Sequence, residues 1–131
     1  MRARSTSAHA MPALVPAAAL VLAGCSGDNA FCTGYADAGG TLATPGIFQV
    51  AMSPEDTIDD IASRIEALEA VSPPEDIAAD WQTLHDLYAE VVTIAEQTPD
   101  GGVVAGPRIF EIVDELDAPG DSVRNYLDAT C

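Results

Sequence analysis

Residues 77–95 read IAADWQTLHDLYAEVVTIA. Ile77, Trp81, Leu84, Tyr88, Val91 and Ala95 recur at spacings of three and four, the period of one helix face. Leu87, Val92 and Ile94 widen that stripe. A helix apolar over so much of its surface belongs at the centre of a core. The stretch therefore predicts an all-α fold, and the flanking sequence is read outward from it.

Upstream, Ser72-Pro73-Pro74-Glu75 stops one helix and starts the next, with Ser72 and Glu75 at capping-box spacing. The preceding helix opens at Ser53-Pro54-Glu55-Asp56: a cap, a proline for the first turn, and acids at the positive end of the helix dipole. Ile58, Ile61, Ile65 and Leu68 form its buried stripe, and Asp60 with Arg64 makes an i,i+4 pair on the flank. Residues 29–38 suit a short first helix with Phe31, Cys32, Tyr35 and Ala38 on one side, ended by Gly39-Gly40. Between them, residues 41–52 are apolar without a period. They either cap one end of the core or, with Phe48, line a ligand groove.

Downstream, residues 97–106 (QTPDGGVVAG) are a loop by their proline and glycine content, with Val103 and Val104 folding back on the core. Pro107 opens a helix with Ile109, Ile112, Val113 and Leu116 inward. Ala118-Pro119-Gly120 predicts a break, and Asp121 a cap for a short last helix. There Val123, Leu127 and Cys131 align at i, i+4 and i+8, pointing Cys131 into the bundle. The expectation is a small four- to five-helix bundle with short connections.

Charge narrows the function. The chain of 131 residues carries 5 basic and 21 acidic side chains, and aromatic residues make up 5% of it. Arg2 and Arg4 precede every acid, so from residue 25 onward three arginines (Arg64, Arg108, Arg124) face 21 acids, a net of −18. Nucleic-acid binding is excluded on this ground, since it requires cations that displace phosphate counterions. Attachment to anionic lipid by charge is excluded likewise. Arg64 has Asp60, and Arg124 has Asp121 and Asp128. Arg108 opens a helix where the dipole disfavours a cation, with Glu111 one turn on. Arg108 reads first as a surface ion pair, and it is the arginine to choose if one of the three meets a partner.

Catalytic signatures do not assemble. The sequence has no nucleophile motif, HExxH, phosphate loop or Cys/His cluster, and no enzyme or cofactor is expected. His85 reads as a boundary histidine at the edge of the stripe, against a general base or metal ligand. Glu55, Asp56, Asp59 and Asp60 could hold a hard cation but lack the alternation and glycine bend of a calcium loop. Glu111, Asp114, Glu115 and Asp117 read as a solvated face.

The first residues have a different character. Residues 1–10 are polar with two arginines, and Met11–Leu22 is an apolar run too short to span a bilayer. Leu22-Ala23-Gly24-Cys25 then resembles the lipobox of bacterial lipoproteins at all four positions. The resemblance implies a signal peptide over 1–24, cleavage before Cys25, and acylation (palmitate or similar chains) of Cys25. The protein would then be anchored in the cell membrane on its extracytoplasmic face. Two or more acyl chains are what stable anchoring requires. Residues 25–30 would be a tether, and 31–131 an acidic helical domain. With Cys25 taken by lipid as the resemblance implies, Cys32 and Cys131 are expected to pair in an oxidising compartment. That bond would staple the N-terminal helix to the C-terminal one.

In overall plan the mature chain also looks like small uncharacterised lipoproteins of GC-rich Gram-positive bacteria. It shares a cysteine near the start, a Pro-Pro-acid helix opening followed by Asp80-Trp81, and a terminal cysteine. This implies no activity. The expected function is a non-enzymatic interaction or accessory module at the envelope, facing a protein partner through an acidic surface, through Phe48 and its neighbours, or through Arg108. The alternative is a small-molecule or divalent-cation carrier with a pocket near Trp81, His85 and Tyr88. The sequence leaves oligomeric state open.

Overall fold

The computed structural model describes residues 26–38, 46 and 48–131, with side chains from residue 30 onward. The leader, Cys25 and Gly39-Gly40 lie outside the described residues. Four α-helices make up the fold: α1 (Ser26–Asp37), α2 (Pro54–Ala70), α3 (Ala78–Gln97) and α4 (Pro107–Thr130). Among the described residues there is no strand, and no helix is long and apolar enough to cross a membrane.

Helix α3 is central, packing against both α2 and α4, while α1 lies against α4. Trp81, Leu84, Leu87, Tyr88, Val91 and Ala95 are all buried, as the 77–95 stripe requires. They meet Ile61, Ala67 and Leu68 of α2, Ile109, Ile112, Leu116 and Val123 of α4, and Phe31 of α1. Val104 is buried at 1% exposure and bonds across to the 48–52 segment: Ala51 N–H donates to the Val104 carbonyl, and Val104 N–H to that of Met52. Phe48 and Val50 pack partly buried against the core, so the described part of 41–52 caps the bundle and does not open a groove. Val103 stays exposed.

A disulfide joins Cys32 to Cys131, with Cα atoms 5.6 Å apart, and links the N-terminal helix to the C-terminal one. Cys131 is exposed, so it turns toward α1 at the surface and not into the bundle interior.

Four expectations are corrected. Helix α4 runs unbroken through Pro119 and Gly120, so there is no fifth helix. Pro119 lacks the N–H that would reach the Glu115 carbonyl. Glu115 is exposed, where water can serve it, while Pro119 and Gly120 are buried and packing holds the turn. Of the residues 25–30 expected as a tether, 26–30 are the first residues of α1. The Ser72–Glu75 capping box does not form. Pro74 instead opens a 3₁₀ turn (Glu75–Ile77) without a side-chain cap, and α3 continues from it. Finally, the buried face of α2 is rotated toward Thr57, which is 2% exposed, leaving Ile58 and Ile65 half-buried. Thr57 can face the core because its hydroxyl donates to the Ser53 carbonyl at 2.8 Å. Ser53 caps α2 as expected, its Oγ accepting from Asp56 N–H at 3.1 Å.

Candidate functional site

Of the residues expected to surround a ligand pocket, two lie in the core and one at its rim. Trp81 and Tyr88 both point into the core, at 5% and 1% exposure. Trp81 Nε1–H donates to the Leu68 carbonyl at 3.1 Å, in the last turn of α2, where that carbonyl has no partner within the helix. The Tyr88 hydroxyl accepts from Gly46 N–H at 2.9 Å. Each is an aromatic body in the core with its polar tip spent on backbone. Gly46 is required there. Its φ is +87°, and a Cβ would lie 2.7 Å from the Leu116 carbonyl oxygen.

His85 sits at the rim of the same helix. Its Nε2 lies 3.0 Å from Glu69 Oε1 and its Nδ1 3.4 Å from Asp86 Oδ1. The Glu69 hydrogen bond raises its pKa above the ordinary value, partial burial opposes that, and Asp86 adds to the rise. An imidazole held between two carboxylates in this way fastens α3 to α2.

Arg108 is engaged by three glutamates. Its Nε and one Nη grip both oxygens of Glu90 at 2.6 and 2.7 Å, and the other Nη reaches Glu115 at 2.7 Å and Glu111 at 3.4 Å. The bidentate pair crosses from α4 to α3 and outweighs the unfavourable position at a helix start. The guanidinium holds the Glu90 carboxyl below its ordinary pKa. Arg108 therefore joins α4 to α3 while its side chain stays partly exposed. Arg64 bonds Asp60 at 3.3 Å and lies over the Tyr88 ring, and Arg124 bonds Asp121.

The acids expected as a cation group separate. Asp56 serves the Ser53 cap and Asp60 pairs with Arg64. Glu55 and Asp59 share a shallow pocket of about 270 Å³ with Glu96 and Asp100. Among the described residues, no group of three His, Cys, Asp or Glu side chains is placed to hold a metal ion.

Two features escaped the sequence. The first is an aromatic cluster in which the Phe31 ring meets those of Trp81, Tyr126 and Tyr35 at centroid distances of 5.5, 5.7 and 6.0 Å. The Tyr35 hydroxyl is buried with no partner among the described residues, and burial, reinforced by Tyr88 and opposed by Arg124, pushes its pKa up to about 12. The second is a groove of about 490 Å³ between α1 and the turn after α2, bounded by Ala30, Phe31, Gly34, Val71, Pro73 and Pro74. Tandem Pro73-Pro74 was its clearest sequence signal and read as helix punctuation, while Gly34 within α1 drew no reading. Compared with protein-family models, curated proteins and solved structures, the chain shows no match.

Proposed function

We propose that this protein is a lipid-anchored extracytoplasmic interaction module, held in the cell membrane through Cys25 and without catalytic activity of its own. The carrying observation is the four-position lipobox Leu22-Ala23-Gly24-Cys25 behind an arginine-bearing, apolar leader. The cysteine pairing supports it. Cys32 and Cys131 form a disulfide, a bond of oxidising compartments, and Cys25 is the third cysteine. The domain's reactive-looking groups are used for packing: His85 and Arg108 join helices, and Trp81 and Tyr88 fill the core. Trp81 and Tyr88 are core residues with their polar tips on backbone groups, which favours the interaction reading over a carrier pocket at Trp81, His85 and Tyr88.

Intact mass analysis of wild type and Cys25→Ser tests the anchor. The wild type should carry the mass of acyl chains on a chain starting at Cys25, and the variant should not. An unmodified wild type would refute the reading.

A further inference from the structure

The groove between α1 and the Val71–Pro74 turn has a built shape. Phe31 and Val71, both buried, form its floor, and Pro73 and Pro74 give it a wall whose backbone needs little ordering to receive a ligand. Its volume, about 490 Å³, is in the range of sites that hold compact organic ligands or a few residues of peptide.

Charge selects what fits. Each arginine among the described residues bonds an acid, and none borders the groove. Helix α2 ends at Ala70 on the groove wall, so the negative end of its dipole lies beside this region, although the Leu68 carbonyl is taken by Trp81. Glu75 and Asp76, just past the turn, are exposed, and Glu69 before it is exposed but engaged by His85. An anionic head group would meet no arginine here, whereas a basic group beside an apolar one would lie near the Glu75 and Asp76 carboxylates and the negative end of α2.

We infer that this groove docks a peptide segment of another protein, with an apolar side chain seated over Phe31 and Val71 and flanking Lys or Arg against the α2 terminus. The inference names the partner chemistry for the interaction module proposed above and rests on that reading. Ala30 lies four residues, about 6 Å of helix rise, beyond Ser26. An anchor at Cys25 would therefore set the groove beside the bilayer, within reach of the extracytoplasmic flank of a neighbouring membrane protein.

Trp81 is the only tryptophan and its ring stacks edge-on to Phe31, so it reports on the groove floor. The full chain in phosphatidylcholine nanodiscs, with empty nanodiscs as blank, is titrated with the capped peptides Lys-Leu-Leu-Lys, Lys-Ser-Ser-Lys and Glu-Leu-Leu-Glu. Only the first should give a saturable change in Trp81 emission, weakening as salt rises. A Cβ at residue 34 would make ordinary contacts of 3.6 Å with Val71, so Gly34→Ala should fold normally, and Gly34→Leu should fill the groove and weaken binding about tenfold or more. Ala70→Leu fills it from the opposite wall if Gly34→Leu does not fold. Equal response to either control peptide, no response to Lys-Leu-Leu-Lys, or undiminished binding by a folded, filled variant would overturn the proposal. The titration is repeated on Cys25→Ser, whose groove is intact. Binding there with no acyl mass on wild type would defeat the anchor alone, and acyl mass without binding would defeat the groove alone.

Discussion

Removing the Cys32–Cys131 bond, by reduction or by the double variant Cys32→Ala/Cys131→Ala, should destabilise α1 selectively. The cysteines are 99 residues apart in sequence. In the chain-entropy description a loop of about 100 residues is worth roughly 4.7 kcal/mol, and native disulfides of small secreted domains return about 2–5 kcal/mol. Helix α1 has 12 residues, at or below the length at which an isolated helix is marginal in water. Its anchorage is concentrated in Phe31, whose full burial contributes about 1.5–3 kcal/mol, with help from half-buried Tyr35 and Ala38. Without the bond, α1 should open locally while α2, α3 and α4 keep their shared core. The global loss should then fall at the lower end, about 2 kcal/mol, or roughly 10 °C in Tm for a domain of this size. Hydrogen exchange on reduced and oxidised protein provides the assay. Amides of residues 31–37 should lose most of their protection on reduction, and those of Leu84, Tyr88 and Val91 should lose much less. Equal loss in α1 and α3, or unchanged protection in α1, would refute the reasoning.

Tyr88→Phe should cost about 1–3 kcal/mol in denaturant unfolding, because it strands the Gly46 N–H in a buried position. Gly46→Ala should also destabilise, through its positive φ and its collision with the Leu116 carbonyl; a midpoint equal to wild type would contradict the described packing. In Arg108→Ala, carbon-detected NMR should show the Glu90 carboxyl pKa rising toward its ordinary value, and Arg108→Lys should restore it only partly, since an ammonium cannot grip both oxygens. His85 is raised in the folded state, so its contribution to stability is complete below the unfolded value of about 6.5 and is lost as pH rises through the folded value. Its ring-proton titration should move to lower pH in Glu69→Gln; no movement would show that Glu69 is not the cause.

What could be read from the sequence was whatever repeats locally. The stripe from Ile77 to Ala95 located the central helix, and Ser53-Pro54 located the start of α2, because periodicity and capping act within a few residues. Pro119-Gly120 misled for the same reason. A local rule predicts a break, yet that turn is buried and Gly46, far away in the chain, lies against it. Thr57 escaped because a hydroxyl looks polar until its bond to the Ser53 carbonyl is seen. The site fared worse than the fold. Trp81 and Tyr88 looked available for ligands because their partners, the Leu68 carbonyl and the Gly46 amide, are backbone groups that no side-chain pattern announces. For Arg108 only the Glu111 partner was legible, because Glu90 lies 18 residues upstream on another helix.

The bond from Cys32 to Cys131 also turns the domain into a closed covalent circuit. A single proteolytic cut anywhere between residues 33 and 130, the exposed Val103 loop included, would release no fragment until the protein is reduced. Tension applied between the first residues and residue 131 would pass through the first turns of α1 and the sulfurs, and leave α2, α3 and α4 slack. Any pull transmitted from a membrane attachment at Cys25 to the far end of α4 would thus be carried by the few residues before Cys32, and the core would be spared mechanical load.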